Sequence, residues 1–162
     1  MQRIFDMIPS FKLVNFEKNY DVFLRFRKCA HLELKGSFDI SEDTLQNYIK
    51  KNIEIFGEEA FIHMFIKNEI IGQIEMSIKE DKGYVCFFYV DTQYRSKGYF
   101  KFMHAKMMNI MKHKKIDSVI LSTPFSNKDT IKIYEKYGWK FFGQDKRKGK
   151  EGMILFKLLL QS

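Results

Sequence analysis

The chain has 162 residues, of which 45 % are hydrophobic and 16 % aromatic, with 17 Phe, enough apolar surface for one domain with a sizeable core. Its formal charge is +8, from 28 Lys and Arg against 20 Asp and Glu, but the lysines are spread along the sequence without an aromatic-plus-basic recognition motif, so a nucleic-acid partner is not expected. No stretch approaches the roughly 18 consecutive apolar residues of a membrane span. The start, Met1 to Pro9, has too short an apolar run and carries Asp6, so no signal peptide or membrane partner is expected and the protein reads as cytoplasmic.

In chain order, Phe11 to Phe16 alternates weakly and predicts a first strand. Tyr20 to Lys35 carries Phe23, Phe26, Ala30 and Leu34 at helical spacing, with Gly36 as the stop. Ser41 is an N-cap followed by acidic residues, and Leu45, Tyr48, Ile49 and Ile53 form the apolar stripe of a second helix closed by Gly57. Ala60 to Ile66 and Glu69 to Ile78 predict a hairpin turning at residues 67–69. Gly83 to Val90 is apolar on both faces, as expected of a central strand. Gly98 to Lys115 is a helix with Phe100, Met103, Met107, Ile110 and Met111 on one face. Val119 to Leu121 is a buried strand, Asn127 to Tyr137 a helix capped by Gly138, and Trp139 to Gly143 and Met153 to Leu160 two further strands around a basic hairpin tip.

Cys29 and Cys86 are far apart, in a helical and a strand pattern, and are expected to be two buried thiols without a disulfide. A nucleophilic role for Cys86 finds no neighbouring His in the sequence. His31, His63, His104 and His113 show no triad spacing and read as surface or packing residues. No Cys-x-x-Cys or His-Glu-x-x-His occurs, so no metal site is expected.

The stretch that carries chemistry runs from Tyr84 to Trp139. A strand ends at Tyr89 and Val90 and runs through Asp91-Thr-Gln-Tyr-Arg95 into the turn Arg95-Ser96-Lys97-Gly98-Tyr99-Phe100, where a helix begins. Backbone N–H groups exposed at a helix start form an anion site. One strand later comes Asn127-x-x-Thr130-x-x-x-Tyr134-x-Lys136-x-Gly138-Trp139. This ordered pair resembles the acetyl-CoA-binding half of the GCN5-related N-acetyltransferases, the GNAT superfamily. Arg95 and Gly98 match the family's Arg/Gln-x-x-Gly-x-Gly/Ala loop, and Phe100 departs from it. Thr92 stands where the family's strand exit has proline, and Thr130 and Trp139 replace alanine and phenylalanine in its second motif.

The resemblance implies an α/β (α+β) fold, a single domain over residues 1–162 with a mixed, mostly antiparallel twisted sheet and helices on both faces. Residues 1–80 would face the substrate and residues 83–142 would bind acetyl-CoA. It implies acetyl transfer to a primary amine by direct attack in a ternary complex. The pyrophosphate would sit on the N–H groups of the turn, with Ser96, Lys97, Gly98, Tyr99 and Phe100 around it; Lys101, Lys128 and Lys132 are further candidates for phosphate oxygens. Tyr89 and Val90 would bond the pantetheine arm with Asn127, which also reads as a helix N-cap. Tyr134 is either a packing residue or, as in the family, the general acid that protonates the departing thiolate. For the base, Glu75 is the candidate, because Gln73, Glu75 and Ser77 share one face of an interior strand, where a carboxylate is either desolvated or covered by solvent; Glu33 is second. A small-molecule amine is the expected acceptor. A protein or peptide N-acetyltransferase and a non-catalytic acyl-CoA-binding module are the alternatives, and a homodimer is compatible with the sequence.

Overall fold

The computed structural model describes residues 8–35 and 40–160. The stop expected at Gly36 lies outside the described residues, as does most of the Met1–Pro9 start. The elements are β1 (Ser10–Leu13), α1 (Phe16–Lys35), α2 (Glu42–Phe56), β2 (Phe61–Ile66), β3 (Glu69–Lys79), β4 (Lys82–Val90), α3 (Phe100–His113), β5 (Ser118–Pro124), α4 (Lys128–Lys136), β6 (Lys140–Gln144) and β7 (Met153–Leu159). The seven strands form one mixed sheet in the order β1-β2-β3-β4-β5-β7-β6. The chain divides into two compact units, Met1–Met76 with Phe87–Met107, and Ser77–Cys86 with Met108–Ser162.

In the first unit β1 pairs antiparallel with β2, and β2 with β3. The first strand is shorter than the alternation predicts because Phe16 belongs to α1. Asn15 Oδ1 accepts the backbone N–H groups of Glu17 and Lys18, each at 3.1 Å, and so starts the helix early. Phe16 then packs edge-on against Phe23 and Phe61. Asn19 leaves helical geometry at φ −124°, ψ 20°, so the regular helix resumes at Tyr20, the predicted start. Ser41 caps α2 through the Thr44 N–H, and Gly57 ends it at φ 103°. Leu45 and Ile49 are buried as predicted, while Tyr48 and Ile53 are half-buried and Asn52 and Phe56 complete the buried face. On β3, a Cβ at Gly72 would lie 2.8 Å from both the Met64 methyl and the Tyr89 carbonyl oxygen, so the backbones meet there only because the residue is glycine.

In the second unit β3 turns into β4 through Glu80 and Asp81, both at positive φ (52° and 64°), the geometry of a tight two-residue hairpin. β4 pairs in parallel with β5 through Gly83, Tyr84 and Val85 against Val119, Ile120 and Leu121. β7 lies antiparallel between β5 and β6. The predicted β5 extends by one residue before and three after, because β7 continues to pair with it from Ser118 to Pro124. The thiol expectation is corrected: Cys86 is exposed and Cys29 half-buried, and neither is in a disulfide. Side chains alternate along a strand, and the fully buried positions of β4 are Gly83, Val85 and Tyr89, a pattern that leaves Cys86 outward. Among the described residues no helix is long and apolar enough to cross a membrane.

Candidate active site

The turn between β4 and α3 lies within the first unit. Asp91 caps a single 3₁₀ turn, Thr92–Tyr94, by accepting the Thr92 N–H, and its own N–H reaches the Ile71 carbonyl at 2.8 Å. Ser96 (φ 62°) and Gly98 (φ 85°) then turn the chain sharply at exposed positions. No atom lies within 4 Å of where a Cβ on Gly98 would stand, so the backbone there is open to close approach. The N–H groups of Phe102 and Met103 return to the Tyr99 carbonyl at 3.1 and 3.3 Å, and the start of α3, a 14-residue helix, carries the positive end of its dipole. Lys97 and Lys101 flank the turn, both exposed. An open turn of this kind at a helix start can hold an anion. Phe100, the departure from the family pattern, packs edge-on against Phe88 at 5.4 Å and lies tilted against the His104 ring at 5.8 Å. Its bulk is therefore taken up beneath the turn. Burial pushes the His104 imidazole down to about 4.

Arg95 uses its guanidinium on the protein. Nε donates to the Val90 carbonyl at 2.7 Å, the two terminal nitrogens meet the Glu33 carboxylate at 3.2 Å each, and Cζ lies 5.1 Å from the Tyr89 ring centroid. The residue thus fastens the strand exit to α1. Tyr89 is buried, stacked on Phe87 at 5.7 Å, and burial with nearby Cys29 pushes its phenol up to about 12.

Beneath α1 and α2, in the same unit, Glu75 is fully buried. Its Oε1 accepts from Arg27 Nη1 and, at 2.8 Å, from the Tyr48 hydroxyl; its Oε2 accepts from Gln73 Nε2 at 2.8 Å. Burial works against the Arg27 charge, but the Glu75 carboxylate and the Tyr48 hydroxyl, both of which the guanidinium hydrogen-bonds, together outweigh it and the guanidinium pKa is raised. Gln73 also donates to the Phe23 carbonyl at 3.4 Å, and its Oε1 lies 2.8 Å from His63 Nε2. His63 is fully buried, which holds its pKa down. Arg27 lies over the rings of Tyr48 (5.0 Å) and Phe87 (5.7 Å), and Phe87 connects the cluster to Tyr89 at the strand exit. Arg27, Tyr48, Gln73 and His63 were not assigned to the site by sequence reasoning. The available signal was an arginine four residues after Phe23, on the apolar stripe of its helix.

Asn127 and Tyr134 belong to the second unit. The Asn127 side chain makes no cap hydrogen bond, contrary to expectation; at ψ 70° rather than an extended value near that of Ser41 (151°), its side chain is not aimed at the following N–H groups. Tyr134 occupies the third position before the end of α4. The Gly138 N–H returns to the Glu135 carbonyl and the Trp139 N–H to that of Tyr134, with Gly138 at φ 93°. This is a Schellman closure, and the hydrophobic contact that accompanies it is made by the Tyr134 and Trp139 rings at 6.0 Å. Burial raises the Tyr134 pKa well above that of an ordinary phenol. Among the described residues no group of three or more His, Cys, Asp or Glu side chains gathers as a metal site.

A mixed seven-stranded sheet with a positive-φ turn feeding a helix after its fourth strand is the architecture of the GNAT acetyltransferases. The sequence profile described as "Acetyltransferase (GNAT) family" matches residues 25–139, and the chain belongs to that family. It is 36 % identical over 114 residues to N-alpha-acetyltransferase 30 of Xenopus laevis; the match covers 67 % of this chain and 40 % of that protein, so the chain spans well under half of the relative's length. It is similar in fold to an acetyltransferase from Streptococcus agalactiae, with a TM-score of 0.76, 16 % identity, and 94 % of this chain and 98 % of the other covered. A streptothricin acetyltransferase from Bacillus anthracis, described as putative and solved in complex with acetyl coenzyme A, is 25 % identical with a TM-score of 0.56, covering 62 % of this chain and 63 % of the other.

Proposed function

We propose that the protein transfers an acetyl group from acetyl-CoA to a primary amine by direct attack in a ternary complex. The observation that carries this reading is the Arg95–Phe100 turn: two positive-φ residues, open space over Gly98 and the start of a long helix. Its N–H groups would hold the pyrophosphate, with Lys97 and Lys101 beside them and Lys128 or Lys132 as candidates for the 3′-phosphate. The carbonyl of Val90 already accepts from Arg95, so the pantetheine amides would use a second lone pair there and the backbone of Tyr89.

Bound acetyl-CoA supplies an electrophilic carbonyl carbon and a thiolate leaving group. Tyr134 is proposed as the general acid. Desolvation holds its phenol neutral, so the proton to be donated is present throughout the physiological range. Because that phenol is a weaker acid than a thiol of pKa near 8.5, it stabilises the departing sulfur mainly through its hydrogen bond as the proton moves. Glu75 is proposed as the final proton acceptor. Over the reaction one proton leaves the amine nitrogen and one is gained by the sulfur.

The 36 % identity to an N-alpha-acetyltransferase favours a second, finer reading in which the acceptor is the terminal amine of a peptide. Both readings are tested by following acetyl-CoA consumption against a panel of polyamines, amino acids, aminoglycosides and peptides. Turnover with peptides alone supports the finer reading, and turnover with small amines alone removes it. Binding of acetyl-CoA without turnover on any amine contradicts the enzyme reading.

A further inference from the structure

The loop between β6 and β7, in the second unit, carries a charged pair to which acetyl transfer has assigned no role. Asp145 is buried, with its side chain 2 % exposed, and its N–H returns to the Met153 carbonyl at 3.0 Å. Its Oδ2 accepts from Ser122 Oγ at 2.7 Å and from Arg147 Nη2 at 2.6 Å. Its Oδ1 accepts from Arg147 Nε at 2.9 Å and from the Arg147 backbone N–H at 3.2 Å. The bonds from Arg147, together with that from Ser122, outweigh burial and hold the Asp145 carboxyl well below the usual carboxylate range. Asp145 is therefore a fixed anion, and it fixes one edge of a guanidinium.

The other edge of that guanidinium is open. The Arg147 side chain is 58 % exposed, and its Nη1 and the second hydrogen of Nη2 have no acceptor among the described residues. The Tyr84 phenol and the Cys86 thiol lie close enough that their ionised forms would favour the Arg147 charge. Tyr84 is half-buried, and its hydroxyl likewise has no hydrogen-bond partner among the described residues. Lys146 and Lys148 are exposed on the same loop.

The place of this group in the sheet ties it to the reaction. Along β5, Leu121 pairs with Phe156, against which the Tyr134 ring lies at 6.5 Å, while Ser122 pairs with Leu155 on the opposite face. Tyr84 pairs with Ile120 and shares the Ser122 face. The ladder between β4 and β5 ends at Val85 and Leu121, so Cys86 and Ser122 are the first residues beyond it. Tyr134, proposed to meet the departing sulfur, is thus on one face at this point. Arg147 and Tyr84 are on the other, where an acceptor can approach without crossing the acyl donor.

We propose that Arg147 and Tyr84 bind a carboxylate on the acceptor, so that the preferred acceptors are amines that also carry an acidic group. The inference rests on the acetyl-transfer reading and adds the chemical class of the acceptor. The free guanidinium edge and the phenol offer donors to both oxygens of a carboxylate. Asp145 cancels the Arg147 charge locally, which suits a single carboxylate better than a chain of phosphates. Because Asp145 has already ordered the guanidinium, little conformational freedom is lost when the acceptor binds. Asp145 is a positioning residue and acts through Arg147.

Matched acceptors test this: γ-aminobutyrate against its amide, and two peptides of one sequence with Asp or Asn as second residue. The wild-type protein is expected to prefer the carboxylate member of at least one pair by about 10-fold in kcat/KM, mostly through KM, with the gap narrowing as salt is raised. Arg147→Gln is expected to abolish the preference while the neutral acceptor and acetyl-CoA affinity stay within about twofold of wild type. A pair that only staples the loop would lower both members together. That result, equal use of both members by the wild-type protein at low salt, or a preference that survives in Arg147→Gln overturns the inference and leaves the acetyl-transfer reading standing. Arg147→Gln leaves Asp145 buried without its counter-charge. Should it fail to fold, Asp145→Asn with Arg147→Gln keeps a neutral hydrogen-bonded pair and must lose the preference equally. If the wild-type protein acetylates no amine, the reading falls and the inference with it.

Discussion

Replacing Gly98 by aspartate and, separately, by asparagine isolates the electrostatic part of the proposed pyrophosphate site. Gly98 sits at φ 85°, where an L side chain is strained, but no atom lies within 4 Å of its Cβ position, so neither substitution clashes. Asn and Asp are close in shape and both tolerate this region better than other residues. The strain is therefore shared, and the difference between the two variants is one negative charge. At about 5 Å from a phosphate and an effective dielectric constant of about 20, a unit charge costs roughly 3 kcal/mol; solvent at this exposed turn reduces that to on the order of 2 kcal/mol. Calorimetric titration should then show acetyl-CoA binding to Gly98→Asp about 30-fold more weakly than to Gly98→Asn, with the gap closing as salt is raised. Both variants should melt at similar temperatures. Equal affinities at low salt would refute the placement of phosphate on this turn.

Tyr134→Phe keeps the ring that closes α4 against Trp139 and should lower the turnover rate by about 10²-fold with little change in acetyl-CoA affinity; full turnover would reduce Tyr134 to its packing role. Glu75→Ala leaves Arg27 charged and buried without its partner and should cost about 3–5 kcal/mol in denaturant unfolding; a loss below about 1 kcal/mol would mean that the pair is solvated. Gly72→Ala must push back the Tyr89 carbonyl or the Met64 methyl and should destabilise by about 1–3 kcal/mol, measured in the same way. His104 has a folded-state pKa of about 4, below its unfolded value of 6.5, so the unfolded chain binds the proton first and stability should fall as pH drops from 6.5 toward 4, by roughly 2–3 kcal/mol from this residue. His104→Asn should remove that share of the decline, and an unchanged pH profile would show that the imidazole is hydrated.

The strand, turn and helix around Arg95–Phe100 were legible because their signals are local: an apolar strand, a glycine needed at positive φ and a helical stripe within one short segment. The same holds for Gly138 and Trp139, whose return to Glu135 and Tyr134 is written in a few consecutive residues. The partners of Glu75 were not legible, because Arg27 and Tyr48 are 48 and 27 residues away and meet the carboxylate only once α1 and α2 have packed. The Asn127 cap failed for a different reason. Capping depends on the backbone angle that the preceding chain imposes, and residue type does not encode it. Alternation alone puts Phe16 in a strand, because a pattern over a few residues cannot anticipate a helix started early by Asn15.

Direct acetyl transfer in a ternary complex is tested most directly by counting products. The protein is incubated with acetyl-CoA alone and then with an amine or peptide acceptor, while free thiol, acetylated acceptor and the mass of the protein are followed together. The account predicts no acetyl group on the protein and no thiol before the acceptor is added, and then thiol and N-acetylated product appearing one for one. An acetylated protein formed in the first stage, or thiol released without N-acetylated product in the second, would contradict it.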